Sequence, residues 1–104
     1  MKEARLILTT QTRNGELIHA RVLHHFTQWV ADSFGGYTLT MGEGAYRHPN
    51  GRVQVEPVMI LDILTDRVDL LREIAHTFTF VADQEGTYLR LPDGEVEFVQ
   101  GVLW

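Results

Sequence analysis

The chain has 104 residues, 44% of them hydrophobic, and no cysteine, which bounds it to one cored domain without disulfides or a zinc–thiolate site. Its nine Lys and Arg are scattered against fourteen Asp and Glu, for a net charge of −5, and this excludes a nucleic-acid footprint, because phosphate binding needs clustered cations. No apolar run approaches the roughly 20 residues of a membrane span, and Met1-Lys2-Glu3-Ala4-Arg5 leads into a strand-like run without a signal-peptide apolar region. The expectation is a single cytoplasmic domain over residues 1–104, with neither nucleic acid nor membrane as partner.

Residues 4–12 read as a strand, with Leu6, Ile7 and Leu8 followed by Thr9, Thr10 and Thr12, and Asn14-Gly15 breaks it. From Glu16 the apolar residues Ile18, Val22, Phe26, Trp29 and Val30 recur at helical spacing to about Ser33, where Gly35-Gly36 stops the helix. Residues 37–41 form a second strand, whose extension through Tyr46 pairs with the segment from Val53 onward. Between them, Pro49 suits the first central position of a type I turn, Asn50 the second, and Gly51 the left-handed residue after it. That three-residue loop pairs His48 with Arg52 and Gly44 with Glu56, and it sets Tyr46 and Glu56 on one face. A two-residue Asn-Gly turn sets them on opposite faces, and a bulge at Pro57 also shifts the count.

Residues 58–64 are apolar at nearly every position except Asp62. Asp66 is a candidate cap for a second helix along Val68, Leu71, Ile74, Ala75, Phe78 and Val81. That period carries the helix through Thr77-Phe78-Thr79-Phe80, despite their strand propensity, to an end near residues 83–86. Residues 87–91 and 95–99 make a last hairpin over Pro92-Asp93-Gly94. The order β-α-β-β-α-β predicts an α+β, ferredoxin-like split β-α-β fold, a four-stranded antiparallel sheet with two helices on one face plus a short extra hairpin strand. Because Leu6-Ile7-Leu8 and Val58-Met59-Ile60-Leu61 are apolar toward both faces, the helix-free face needs a cover. A second copy is the simplest one, so a homo-oligomer is expected.

Few residues offer chemistry. His24 and His25 diverge on a helix, His19 is off the spacing of paired helical ligands, and no carboxylate completes a triad with them. No metal is expected, and the five histidines read as surface positions, with His25 a candidate for an interface. Ser33, the lone serine, lies at a helix end without a nucleophile elbow. Gly42-Glu43-Gly44 opens no helix that would receive a pyrophosphate, so it reads as a bulge or tight bend. Asp66 and Asp69 suit a helix start, and Glu95 and Glu97 alternate with Val96 and Phe98 as a solvated face. Glu56 differs, because it enters a buried strand directly before Pro57. A carboxylate there is costly unless paired or hydrogen-bonded, so it is either functional or locked into a structural network. Gln84 and Glu85, ending the second helix, are its natural polar partners.

The series Gly36-Tyr37-Thr38, Gly44-Ala45-Tyr46-Arg47 and then Glu56 before an apolar strand resembles the phage-encoded S-adenosylmethionine lyases, and Asp83-Gln84-Glu85 resembles that family's helix-to-strand junction. A similar pattern occurs in small bacterial proteins of unknown function, and both sets resemble the trimeric PII-like signalling fold, whose ligand sites lie between subunits. The resemblance implies a PII-like trimer acting on S-adenosylmethionine without a cofactor. It places catalytic positions at Tyr46, Glu56 and Gln84, or at Glu85 if the register slips. Tyr37, Thr38, Met41 and Glu85 are then expected on the substrate, with the backbone of residues 37–41 lining the same cavity. The implied reaction is intramolecular, with the substrate's carboxylate attacking its own γ-carbon to give methylthioadenosine and homoserine lactone. Glu56 then holds the substrate's ammonium or the nearby hairpin. The chain lacks the longer tails and more elaborate central loop of some members. Two other readings are a non-catalytic PII-like module for an adenine nucleotide or other small ligand, and a phage interaction protein.

Overall fold

The computed structural model describes residues 2–100, in which five strands and two helices follow one another as β1 (Lys2–Thr9), α1 (Ala20–Phe34), β2 (Thr38–Arg47), β3 (Val53–Thr65), α2 (Val68–Val81), β4 (Thr87–Arg90) and β5 (Val96–Val99). The sheet order is β2-β3-β1-β4-β5, with every neighbouring pair antiparallel. Strands β1 to β4 and the two helices make the split β-α-β arrangement, and β5 extends the sheet beyond β4.

Period-two alternation sends Ala4, Leu6 and Leu8 of β1 to one face, where they meet Leu61 and Ile63 of β3 and Leu89 of β4. Onto this face α1 lays Phe26 and Val30, and α2 lays Leu71, Ile74, Ala75 and Phe78. The rings of Phe26 and Phe78 meet edge to face at 5.1 Å, which fixes the two helices against each other. Both helices therefore share one face. On the other face Ile7 and Ile60 are half-buried, and Arg5 forms an ion pair with Asp62 at 2.8 Å.

The helix period of α2 holds through residues 77–80. Threonine is accommodated there because the Thr77 and Thr79 hydroxyls donate to the carbonyls of Glu73 and Ala75. The helix ends at Val81, slightly before the expected boundary, and Asp83 turns the chain with φ of 51°. Three expectations need correction. Strand β1 ends at Thr9 and α1 starts at Ala20, because the intervening backbone closes on itself: Thr12 N–H donates to Glu16 O at 2.7 Å, and Ile18 N–H to Thr10 O at 2.9 Å. His19 caps α1, its Nδ1 accepting from Arg21 N–H at 3.0 Å. Asp66 does not cap α2; Arg67 takes that position without a side-chain bond, and its N–H donates to Thr65 Oγ1 instead.

The β2–β3 hairpin follows the three-residue turn. His48 N–H donates to Arg52 O at 2.8 Å, Gly51 takes φ of 89°, and Gly44 pairs with Glu56 and Tyr46 with Gln54. The register runs past Pro57 without a bulge, Glu43 facing it. Gly42-Glu43-Gly44 is therefore neither bulge nor bend but strand. A Cβ on Gly44 would stand 2.8 Å from Val58 Cγ1, so the missing side chain is what lets Val58 lie across β2.

Candidate functional site

Four polar side chains alternate along one side of the hairpin: Tyr46 and His48 from its first arm, Gln54 and Glu56 from its second. They face the helix-free side of the sheet, where they border a cavity of about 100 Å³. Ile7 and Thr9 of β1, Arg13 after it, Tyr88 of β4, Phe98 of β5 and the turn residues Gln84, Glu85 and Gly86 complete its wall. The two edges of the sheet meet over this cavity. Tyr46 on β2 stacks on Phe98 of β5 with ring centres 6.0 Å apart and planes 20° from parallel. A Cβ at Gly86 would collide with the Phe98 ring, so glycine there gives the aromatic its place.

The polar groups form one continuous chain of hydrogen bonds. Tyr46 Oη donates to Glu85 Oε2 at 2.6 Å, and His48 Nδ1 lies 2.7 Å from Glu85 Oε1. His48 Nε2 lies 2.8 Å from Gln54 Oε1. The Gln54 amide nitrogen is surrounded by Gln11 Oε1, Thr12 O and Glu56 Oε2, at 2.9 to 3.1 Å. Glu56 Oε1 accepts the backbone N–H groups of both Thr10 and Gln11 at 2.9 Å. Glu56 is 6% exposed; its Oε1 ties the hairpin to the segment that leaves β1, and its Oε2 holds Gln54 within the hairpin.

Glu85 stands at the open end of this chain. Hydrogen bonds from Tyr46 and then His48 hold its carboxyl below the usual carboxylate range, while the same bond to Glu85 raises the Tyr46 phenol above its ordinary value. Asp62 and Glu97 are held low in the same way by the guanidinium groups of Arg5 and Arg72. A carboxyl lowered on folding stabilises the protein above the ordinary carboxylate range, and that contribution disappears as pH falls through the folded-state value. Glu85→Gln should therefore melt below wild type at pH 7, and the gap should close as pH falls below the ordinary carboxylate range. Melting curves across this range check the sign; a gap that widened in acid would contradict it.

Within one chain the structure brings together Tyr46, Glu56, Gln84 and Glu85. Gln84 turns its amide nitrogen to Gln11 O at 2.7 Å and Ala82 O at 3.0 Å, so Glu85 rather than Gln84 meets Tyr46. Tyr37, Thr38 and Met41 are not part of this grouping. Thr38 pairs with Asp62, eight positions along β2 from Tyr46, or roughly 25 Å. Tyr37 and Thr38 border a separate hollow beside Gly35 and Gly36. Met41 alternates onto the opposite side of β2 from Tyr46 and is 56% exposed. Several members of the site escape a reading of the sequence, among them Gln54, His48 and Phe98. His48, expected at the surface, is 6% exposed; its signal was the polar alternation at 46, 48, 54 and 56 once the turn was fixed. Phe98 reads as one apolar position in an alternating strand, and nothing local announces that the hairpin reaches it.

No protein-family model and no curated protein sequence matches the chain. Solved structures do share its α+β architecture. A phage SAM lyase in complex with S-methyl-5'-thioadenosine aligns with a TM-score of 0.75 over 94% of this chain and 88% of its own, at 12% identity. A phage SAM lyase in its apo state aligns with a TM-score of 0.72 over 98% of this chain and 90% of its own, also at 12% identity. At that identity the likeness is one of fold. Among the described residues no three His, Cys, Asp or Glu side chains gather to hold a metal ion, and no helix is long and apolar enough to cross a membrane.

Proposed function

We propose that this chain is an S-adenosylmethionine lyase whose reaction takes place at the Tyr46–Glu85 cavity. The observation that carries the reading is a hydrogen-bonded carboxylate and phenol opening into a cavity with apolar walls from Ile7, Tyr88 and Phe98. The shared architecture with phage SAM lyases agrees with it.

The chemistry suits such walls. A lone pair of the substrate's carboxylate forms the new C–O bond at the γ-carbon, the C–S bond breaks, and its electron pair returns to sulfur. The products are methylthioadenosine and homoserine lactone. A carboxylate and a sulfonium become two neutral groups, so charge is lost on the way to the transition state, and an apolar surrounding favours that loss. No proton is removed and no cofactor is required. The protein's task is to fold the amino-acid tail until its carboxylate stands near the γ-carbon. Glu85 pairs with the substrate's ammonium, whose charge does not change in the reaction, and Tyr46 fixes Glu85 and contributes an aromatic wall. Glu56 acts one step away by anchoring the hairpin that carries Tyr46. Gln84 fastens the loop that presents Glu85.

A volume of about 100 Å³ is below the roughly 300 Å³ at which small-molecule sites begin, so a substrate of this size needs a further wall and a parted Tyr46–Phe98 stack. A neighbouring copy is the proposed wall. Leu39, Met41, Val53 and Val55, on the side of the hairpin opposite the cavity, are 44 to 58% exposed, an apolar strip by which one copy is proposed to pack over the cavity of the next. A trimer is the proposed assembly, and light scattering tests it against monomer and dimer. The proposed place of action is the cytoplasm, where this substrate is found.

Incubation with S-adenosylmethionine should release methylthioadenosine and homoserine lactone in equal amounts, followed by chromatography. Binding of methylthioadenosine without turnover of S-adenosylmethionine would instead favour the second reading, a small-ligand binding module. The saturated hydrogen-bond network is the observation on its side.

A further inference from the structure

His48 belongs to the cavity but has no part in the reaction as written. Its ring is buried, stands edge-on to the Tyr46 ring at 5.0 Å, and separates Glu85 from Gln54. The Gln54 amide cannot reverse cheaply, because three acceptors surround its nitrogen. Its oxygen is thereby fixed toward His48 Nε2, which must carry a hydrogen. The other ring nitrogen faces a carboxylate oxygen at 2.7 Å, and a lone pair there would oppose the charge. The arrangement is satisfied when Nδ1 donates as well.

We propose that His48 is a positioning residue whose Nδ1–H holds the Glu85 carboxylate, charge and orientation together, so that Glu85 presents its free lone pairs to a cationic group in the cavity. The role deepens the lyase reading and, for its effect on turnover, rests on it. Glu85 has one donor on each oxygen, Tyr46 on Oε2 and His48 on Oε1. Two opposed donors fix the plane of the carboxylate; with one removed, the side chain rotates about the other. Half-exposed Arg13 lines the cavity near Glu85 but is paired with Asp83 at 2.9 Å, so it does not take the place of a hydrogen-bond donor to Glu85.

The two ring nitrogens can be separated by substitution. In His48→Asn the amide nitrogen falls near the Nδ1 position and can still donate to Glu85, while the bond to Gln54 is lost. In His48→Gln the amide reaches the Nε2 position and keeps Gln54, while Glu85 loses its donor. Each variant forfeits one buried bond, so both should melt similarly. The proposal predicts that His48→Asn retains turnover of S-adenosylmethionine within about 3-fold, and that His48→Gln loses about 10- to 30-fold. The reverse ranking, or equal loss in both, overturns it, because a purely structural ring would depend on either contact alike.

A second readout needs no turnover. The Glu85 carboxyl titration is followed by carbon NMR and assigned by its disappearance in Glu85→Gln. His48→Gln should move that titration upward, since Tyr46 becomes the remaining protein donor to the carboxylate, and His48→Asn should move it less. An unmoved Glu85 titration in His48→Gln overturns the proposal. A wild-type protein without turnover would sink the lyase reading, while the Glu85 titration would still decide the role of His48.

Discussion

Replacing Glu56 by alanine should lower the melting temperature by roughly 8–30 °C. Alanine leaves the N–H groups of Thr10 and Gln11 without their acceptor and removes one partner from the Gln54 amide. Losing a buried carboxylate that accepts three hydrogen bonds costs about 2–4 kcal/mol, and each kcal/mol moves the melting point of a domain this size by about 4–8 °C. Glu56→Gln should cost less than alanine, because its oxygen still accepts from Thr10 and Gln11, although its amide nitrogen meets the Gln54 nitrogen donor to donor and forfeits that bond. Should Glu56→Ala melt like wild type yet lose turnover, Glu56 would be acting on the substrate and not on the hairpin. Expected instead is a loss of stability that exceeds the loss of per-molecule activity at low temperature.

The largest effect on activity should come from Glu85→Gln, with turnover falling about 100-fold. Glutamine is close in shape and can accept from Tyr46 or His48, but it has no charge for the substrate's ammonium. That pairing is equal in ground and transition states, so by itself it would appear in KM. A fall in kcat is expected as well, because an unheld tail seldom brings its carboxylate to the γ-carbon. Steady-state kinetics separate the two. A variant with KM raised and kcat intact would show that Glu85 binds without orienting.

Much of this architecture could be read from the sequence because its signals are local. The apolar period of α2 outweighed the strand propensity of Thr77 and Thr79, and Pro49-Asn50-Gly51 set a register that the structure keeps along the whole hairpin. The loop before α1 was not legible, since its bonds join Thr12 to Glu16 and Thr10 to Ile18 without any periodic pattern. The site divides the same way. Tyr46 and Glu56 follow from hairpin register, and Glu85 from its place at a helix end. The partnership of Glu56 with the Thr10 and Gln11 amides, and of Tyr46 with Phe98, depends on how far the sheet curls, which is a property of the assembled strands. Gly44 and Gly86 permit that curl and that ring, but a glycine in a sequence does not say which neighbour occupies its empty space.

Whether the substrate's own carboxylate is the nucleophile in this cavity is tested most directly by oxygen labelling. In H₂¹⁸O, homoserine lactone collected at early times should carry no label and should appear in step with methylthioadenosine. Homoserine bearing ¹⁸O on its hydroxyl, formed at the rate of methylthioadenosine release, would mean that water attacks the γ-carbon and would contradict attack by the carboxylate.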